Sequence, residues 1–177
     1  MTTSGRGVGV AAWRLGARAR RVVLVAHVTA AGAWLGLDLA LGLLVIAALS
    51  PADAVGAAAA LTSVGLVAAW PLAAAGLVCL ATGVLLGLGS KHGLVRSWWT
   101  AVKLVINLVL VVLVVGVLLP EVQDVAAQAR RALSTGAAPA PVGDLVYPPL
   151  VSCAALLAAT VLAVVKPWGR IRRRTAR

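Results

Sequence analysis

Five side chains of this 177-residue chain stand out from apolar surroundings: His27, Trp34 and Asp38 in "HVTAAGAWLGLDLALG", and Lys103 and Asn107 in "SWWTAVKLVINLVLVVLVVGVLLP". Each type carries its own chemistry. A carboxyl such as Asp38 can hold a proton or a cation, an imidazole can ligate a metal or move a proton, and a lysine can pair an anion. An asparagine in such a run bonds across helices. Successive helical residues turn by about 100°, so His27, Trp34 and Asp38, spaced by seven and four, form one stripe within about 20° of a common direction. Gly32 and Gly36 point almost oppositely, and their GxxxG spacing predicts a second face against which another helix can pack.

The elements that must hold these residues are transmembrane helices. The chain is 62% hydrophobic with 12% charged residues and a mean hydropathy of +1.01, far from the roughly 25% charge of soluble domains. Four apolar runs, about 22–49, 64–88, 98–119 and 147–165, are long enough to cross a hydrocarbon layer of about 30 Å. The predicted fold is an all-α, single-domain, four-transmembrane-helix bundle in a bacterial inner membrane. The first run is too long for the core of a signal peptide and reads as a mature span. "SPAD", with Ser50 as cap, Pro51 at the first helical position and Asp53 in the first turn, predicts the start of an Ala-rich helix reaching Leu88. That length exceeds a bilayer, which predicts an outer extension and a bend at Pro71. An outer loop, 120–146, holds a short polar helix candidate, "EVQDVAAQARRALS", before "TGAAPAPVGD".

Charge decides the orientation. Of the 16 Lys and Arg, those before the first span, those between the second and third spans (Lys91 and Arg96) and those in the basic tail 166–177 lie on one side. Only Arg130 and Arg131 lie on the other, so the positive-inside rule predicts that both termini are cytoplasmic. The net charge of +11 gathers at span ends, which argues for anionic lipid headgroups as partners and against nucleic acid. Cys79 and Cys153 have no zinc spacing around them and read as small buried hydrophobes.

Depth sorts the five residues. Lys103 is five residues past Trp98, about 7 Å of rise, within snorkelling reach of the cytoplasmic headgroups. Asn107 lies one turn deeper and needs a partner in the bundle. Asp38 is near mid-membrane, where insertion scales place a charge at about 2.5–3.5 kcal/mol. It is expected to be protonated, set in a small wet cavity, or hydrogen-bonded to a neighbour such as Asn107. His27 lies near the inner face, where His92 of "GLGSKHGLVRSWW" could approach it. Two histidines facing across a bundle would hold a haem iron.

The stretches "HVTAAGAWLG", "GLGSKHGLVRSWWTAVKLVINLVL" and "VLAVVKPWGRIRR" resemble a group of bacterial four-helix integral membrane proteins best known from actinobacteria, a resemblance that implies no particular activity. More distantly, a first-helix His followed by W-x-G, with a Lys just inside the third helix, is similar to copper-resistance D membrane proteins and HemJ-type protoporphyrinogen oxidases. That likeness implies a haem-associated role for His27, Trp34, Gly36 and Lys103. The chain departs from the HemJ pattern in continuing "LDLALGLLV" and in lacking Phe altogether.

No Ser-His-Asp set, phosphate loop or nucleotide fingerprint is present, so no catalytic residues are assigned and a non-enzymatic role ranks ahead of an enzyme. Three functions remain open. The first is an interior ligand site, with haem or a porphyrin as cofactor, built from His27, Trp34, Asp38, Lys103 and Asn107, with His27 and His92 as metal ligands. The second is proton- or cation-coupled transport, or an accessory role to it, through Asp38; no pair of broken helices is evident for it in the sequence. The third is a scaffold subunit, as a homo-oligomer or with a membrane-protein partner.

Overall fold

The computed structural model describes residues 16–49, 53–89, 98–137, 139 and 141–165, with the side chains of Trp98 and Trp99 excepted. It is all-α, with four helical stretches long and apolar enough to cross a membrane: Ala17–Ala48, Ala54–Leu88, Thr100–Thr135 and Gly143–Val165. Two of these are interrupted. The successive elements are α1 (Ala17–Ala48), α2 (Ala54–Ala68), α3 (Trp70–Leu88), α4 (Trp98–Leu113), a π-helical turn (Val114–Leu118), α5 (Leu119–Thr135), a 3-10 turn (Gly143–Val146) and α6 (Tyr147–Val165).

The α2–α3 interruption is the expected bend. Pro71 has no N–H for the Val67 carbonyl, and the backbone turns at Ala69, with φ −64° and ψ −98°. The second interruption differs from expectation. The polar segment after Pro120 is no separate loop helix but continues the third apolar run. Pro120 would crowd the carbonyl four residues back, and the preceding π turn relieves this by widening, with the Leu119 N–H donating to the Val114 carbonyl five residues back.

Helix entry at α2 also differs. Asp53, expected inside the first turn, is itself the cap: its Oδ1 accepts from the Gly56 N–H at 2.8 Å. Ser50 and Pro51 lie outside the described residues, as do Lys91, His92, Arg96 and the basic tail. Asp53→Ala is expected to cost about 0.5–2 kcal/mol, measurable as a lower midpoint of denaturant unfolding in detergent.

Helices α1, α3, α4 and α6 pack as a ring of neighbours in the order α1, α3, α4, α6, while α2 lies against both α1 and α5. Cross-helix pairs set the directions. His27 meets Thr82, and Trp34 and Val111 both converge on Gly76. Asp38 meets Ser152, and Gly42 lies over Pro149. Neighbours are therefore antiparallel, and α1 begins and α6 ends at the same end of the bundle. The α2–α5 pair stands at the far end, closely apposed: a Cβ at Gly65 would lie 2.5 Å from that of Ala126.

The α1 residues that line the core, Ala30, Trp34, Asp38, Leu41 and Val45, recur every three or four positions and extend the expected stripe. The expected second packing face is absent. Gly32 and Gly36 are exposed, with nothing within 4 Å of an added Cβ. Much of the bundle's outer surface is apolar, including Val22, Leu43, Val105, Val112 and Val161.

Candidate functional site

The interior polar groups fall into two layers separated by Trp34. In the layer nearer the termini, His27 of α1 reaches α3, where Nδ1 lies 3.0 Å from both the Cys79 carbonyl and the Thr82 hydroxyl. The Thr82 hydroxyl donates to the Val78 carbonyl at 2.6 Å. With that hydrogen committed, Nδ1 must carry the imidazole proton and donate to the Cys79 carbonyl, which leaves Nε2 as the acceptor. A Cβ at Gly83 would lie 3.2 Å from His27 Cε1. Glycine there lets the ring lie against the α3 backbone.

From Cys79 the layer continues to α4. Asn107 Nδ2 donates to Cys79 Sγ at 3.2 Å, and Sγ is 3.8 Å from His27 Nδ1. Asn107 is thus partnered by Cys79 rather than by Asp38. Cys79 is buried as expected of a small hydrophobe, yet its thiol also joins α3 to α4. The other Asn107 atom, Oδ1, is buried without a hydrogen-bond partner among the described residues. Lys103, one turn toward the termini, is half-buried and near enough to His27 for its charge to act on the ring.

The second layer is the Asp38–Ser152 pair. The carboxyl is 1% exposed and Ser152 is 5% exposed. Ser152 Oγ donates to Asp38 Oδ2 at 2.5 Å, tying α1 to α6. Ser152 is a small residue in an apolar run, and nothing in the sequence around it or around Thr82 marks a partner. Neither partnership is visible without knowing which helices touch.

Trp34 fills the space between the layers. It is fully buried, and a Cβ at Gly76 would come within 3.1 Å of its ring atoms Cζ3 and Cη2. Its indole N–H, Nε1, is buried with no hydrogen-bond partner among the described residues. The two interruptions coincide with the second layer. Trp34 faces Gly76, so Asp38, four residues further along α1, lies at the level of the Trp70–Leu72 start of α3. On α4, Val111 also faces Gly76, which brings the Val114–Leu118 turn to the same level. A buried carboxyl thus sits at the level of the bend at Ala69 and of the Val114–Leu118 π turn.

The chain matches no known family model, curated protein or solved structure. What it does must be argued from these two layers.

Among the described residues the interior shows no recess the size of a porphyrin. The His27 ring is pressed against α3 at Gly83, and Trp34 closes the space beyond it. The best-formed recess among the described residues has about 10 Å³ and lies at the far end, lined by Leu61, Val125, Gln128, Ala129, Pro139 and Val142. Ligand pockets for cofactor-sized molecules run to several hundred Å³ (about 300–1,000). His92, the second histidine of the expected metal pair, lies outside the described residues, and among those described no three His, Cys, Asp or Glu gather as a metal site. A proton or a single small cation needs no such cavity.

Proposed function

We propose that this chain is a non-enzymatic, multi-pass protein of the bacterial inner membrane, with both termini cytoplasmic, whose Asp38 is an exchange site for a proton or a small monovalent cation. The apolar surface of the bundle suits lipid, and the sidedness of Lys and Arg supplies the orientation. In this orientation Lys103 and the basic end residues meet anionic headgroups, and the α2–α5 pair projects outside.

The observation that carries the reading is Asp38 itself, buried in the bundle against a neutral hydroxyl at the level of the Ala69 bend and the π turn. A leucine there would satisfy packing without the cost of a buried carboxyl. A single carboxylate balances one proton or one monovalent cation, so the occupied site is neutral in a low-dielectric interior. The His27–Asn107 layer then lies on the cytoplasmic side of it. π turns inside long helices are frequent at functional sites.

The test is flux across liposomes holding the purified protein, with an internal pH dye for an imposed proton gradient and an internal sodium dye for a sodium gradient. Wild type is expected to dissipate one of the two gradients, and Asp38→Asn to abolish that flux at unchanged protein level. Wild-type flux equal to that of empty vesicles for both ions, or flux unaltered by Asp38→Asn, would sink the reading. A scaffold role is the second reading, favoured by the way Asp38–Ser152 and Asn107–Cys79 each tie two helices together. It predicts that Asp38→Asn lowers thermal stability in vesicles that show no flux.

A further inference from the structure

We propose that Trp34 is the gate between the two polar layers: its ring bars the way, and its indole N–H is the hydrogen-bond donor that a water meets in crossing. The inference rests on the Asp38 exchange reading and names the element that controls movement from that site toward the cytoplasm.

Three observations converge on this residue. Trp34 lies between the Asp38–Ser152 pair on one side and the His27–Thr82–Cys79–Asn107 group on the other, and on α1 it belongs to the same stripe as His27 and Asp38. It is 0% exposed and held edge-on over Gly76 beside Val111, so the ring has little freedom while the helices keep their places. Its N–H is buried without a partner, although tryptophan N–H groups usually find one when buried.

That orphan donor has given up its water without a replacement partner, a poor arrangement if the ring served only to fill space. The inner layer carries the complementary orphan, the Asn107 Oδ1 acceptor, on the helix that also brings Val111 against Gly76. A donor and an acceptor, both unsatisfied and in adjacent layers of one interior, are what a buried water needs at a minimum. Movement of one water past the ring would link the layers into a path from Asp38 to His27 and Lys103. With the ring in place the path is closed.

The two parts of the proposal predict changes of opposite sign. Trp34→Phe keeps most of the bulk and removes the donor. It is expected to slow the Asp38-dependent flux about tenfold, the kinetic equivalent of one ordinary hydrogen bond, with no new leak. Trp34→Ala and Trp34→Leu open the barrier and are expected to add a leak that persists when Asp38→Asn is combined with them. The liposome assay measures all of these, and monodisperse elution in detergent confirms that each variant is folded before reconstitution. If Trp34→Ala does not fold, Trp34→Leu carries the barrier test and Trp34→Phe the donor test.

Asp38-dependent flux in wild type that is unchanged in Trp34→Phe, with no leak in the smaller variants, overturns the gate and leaves the Asp38 reading standing. No wild-type flux, but a leak in Trp34→Leu, removes the exchange site and keeps the barrier. Absence of both removes both.

Discussion

Trp34→Ala is expected to lower the unfolding free energy by about 3–5 kcal/mol, a large loss for a bundle whose interior contains so few large side chains. The protein has six Trp, one Tyr and no Phe, and its core otherwise rests on Leu, Val and Ala. Truncation would leave an indole-sized space at the point where α1, α3 and α4 converge on Gly76. That space cannot collapse cheaply, because α1 is also held through His27 on one side and Asp38 on the other. Denaturant unfolding in detergent, followed by helical circular dichroism, reads the effect. Trp34→Phe should lose distinctly less, since it sheds an unpartnered N–H together with part of the ring. Equal losses for the two variants would mean that the ring kept in Phe contributes no packing.

Gly65→Val is expected to force α2 and α5 apart at a cost of about 1–3 kcal/mol, confined to that end of the molecule. An added Cβ would lie 2.5 Å from Ala126 Cβ, and both atoms are attached directly to helix backbone, so no flexible side chain can move aside. The interruptions at Ala69 and at Val114–Leu118 separate this pair along the chain from α3 and α4. Hydrogen exchange should therefore quicken across α2 and α5 and stay unchanged in α3 and α4. Uniform quickening throughout the chain would show that the breaks do not isolate the two ends.

Some features of the fold could be read before any helix was placed. Four apolar runs, the bend at Pro71 and the alignment of His27, Trp34 and Asp38 all follow from composition, from proline's missing N–H and from helical periodicity. These are properties of a segment and its own backbone. The π turn before Pro120 was not legible, because a proline in an apolar run is equally consistent with a helix end. Packing of α5 against α2 is what the continued helix adds. The GxxxG pair shows the converse limit: Gly32 and Gly36 permit a close approach, and among the described residues no helix makes it.

The sequence by itself determined an all-α chain with four spans' worth of apolar helix and one polar stripe on α1, since hydrophobicity and a turn of about 100° per residue need no partner. Tertiary structure alone decided who meets whom. Asn107 went to Cys79, Asp38 went to Ser152, and Trp34 took the space between. The physical reason is that a helix presents its side chains by angle and depth, while the identity of the facing atom depends on the neighbour's rotation and register. For this chain those were set by small residues, Gly76 beneath Trp34 and Gly83 beneath His27, whose importance lies in the side chain they lack.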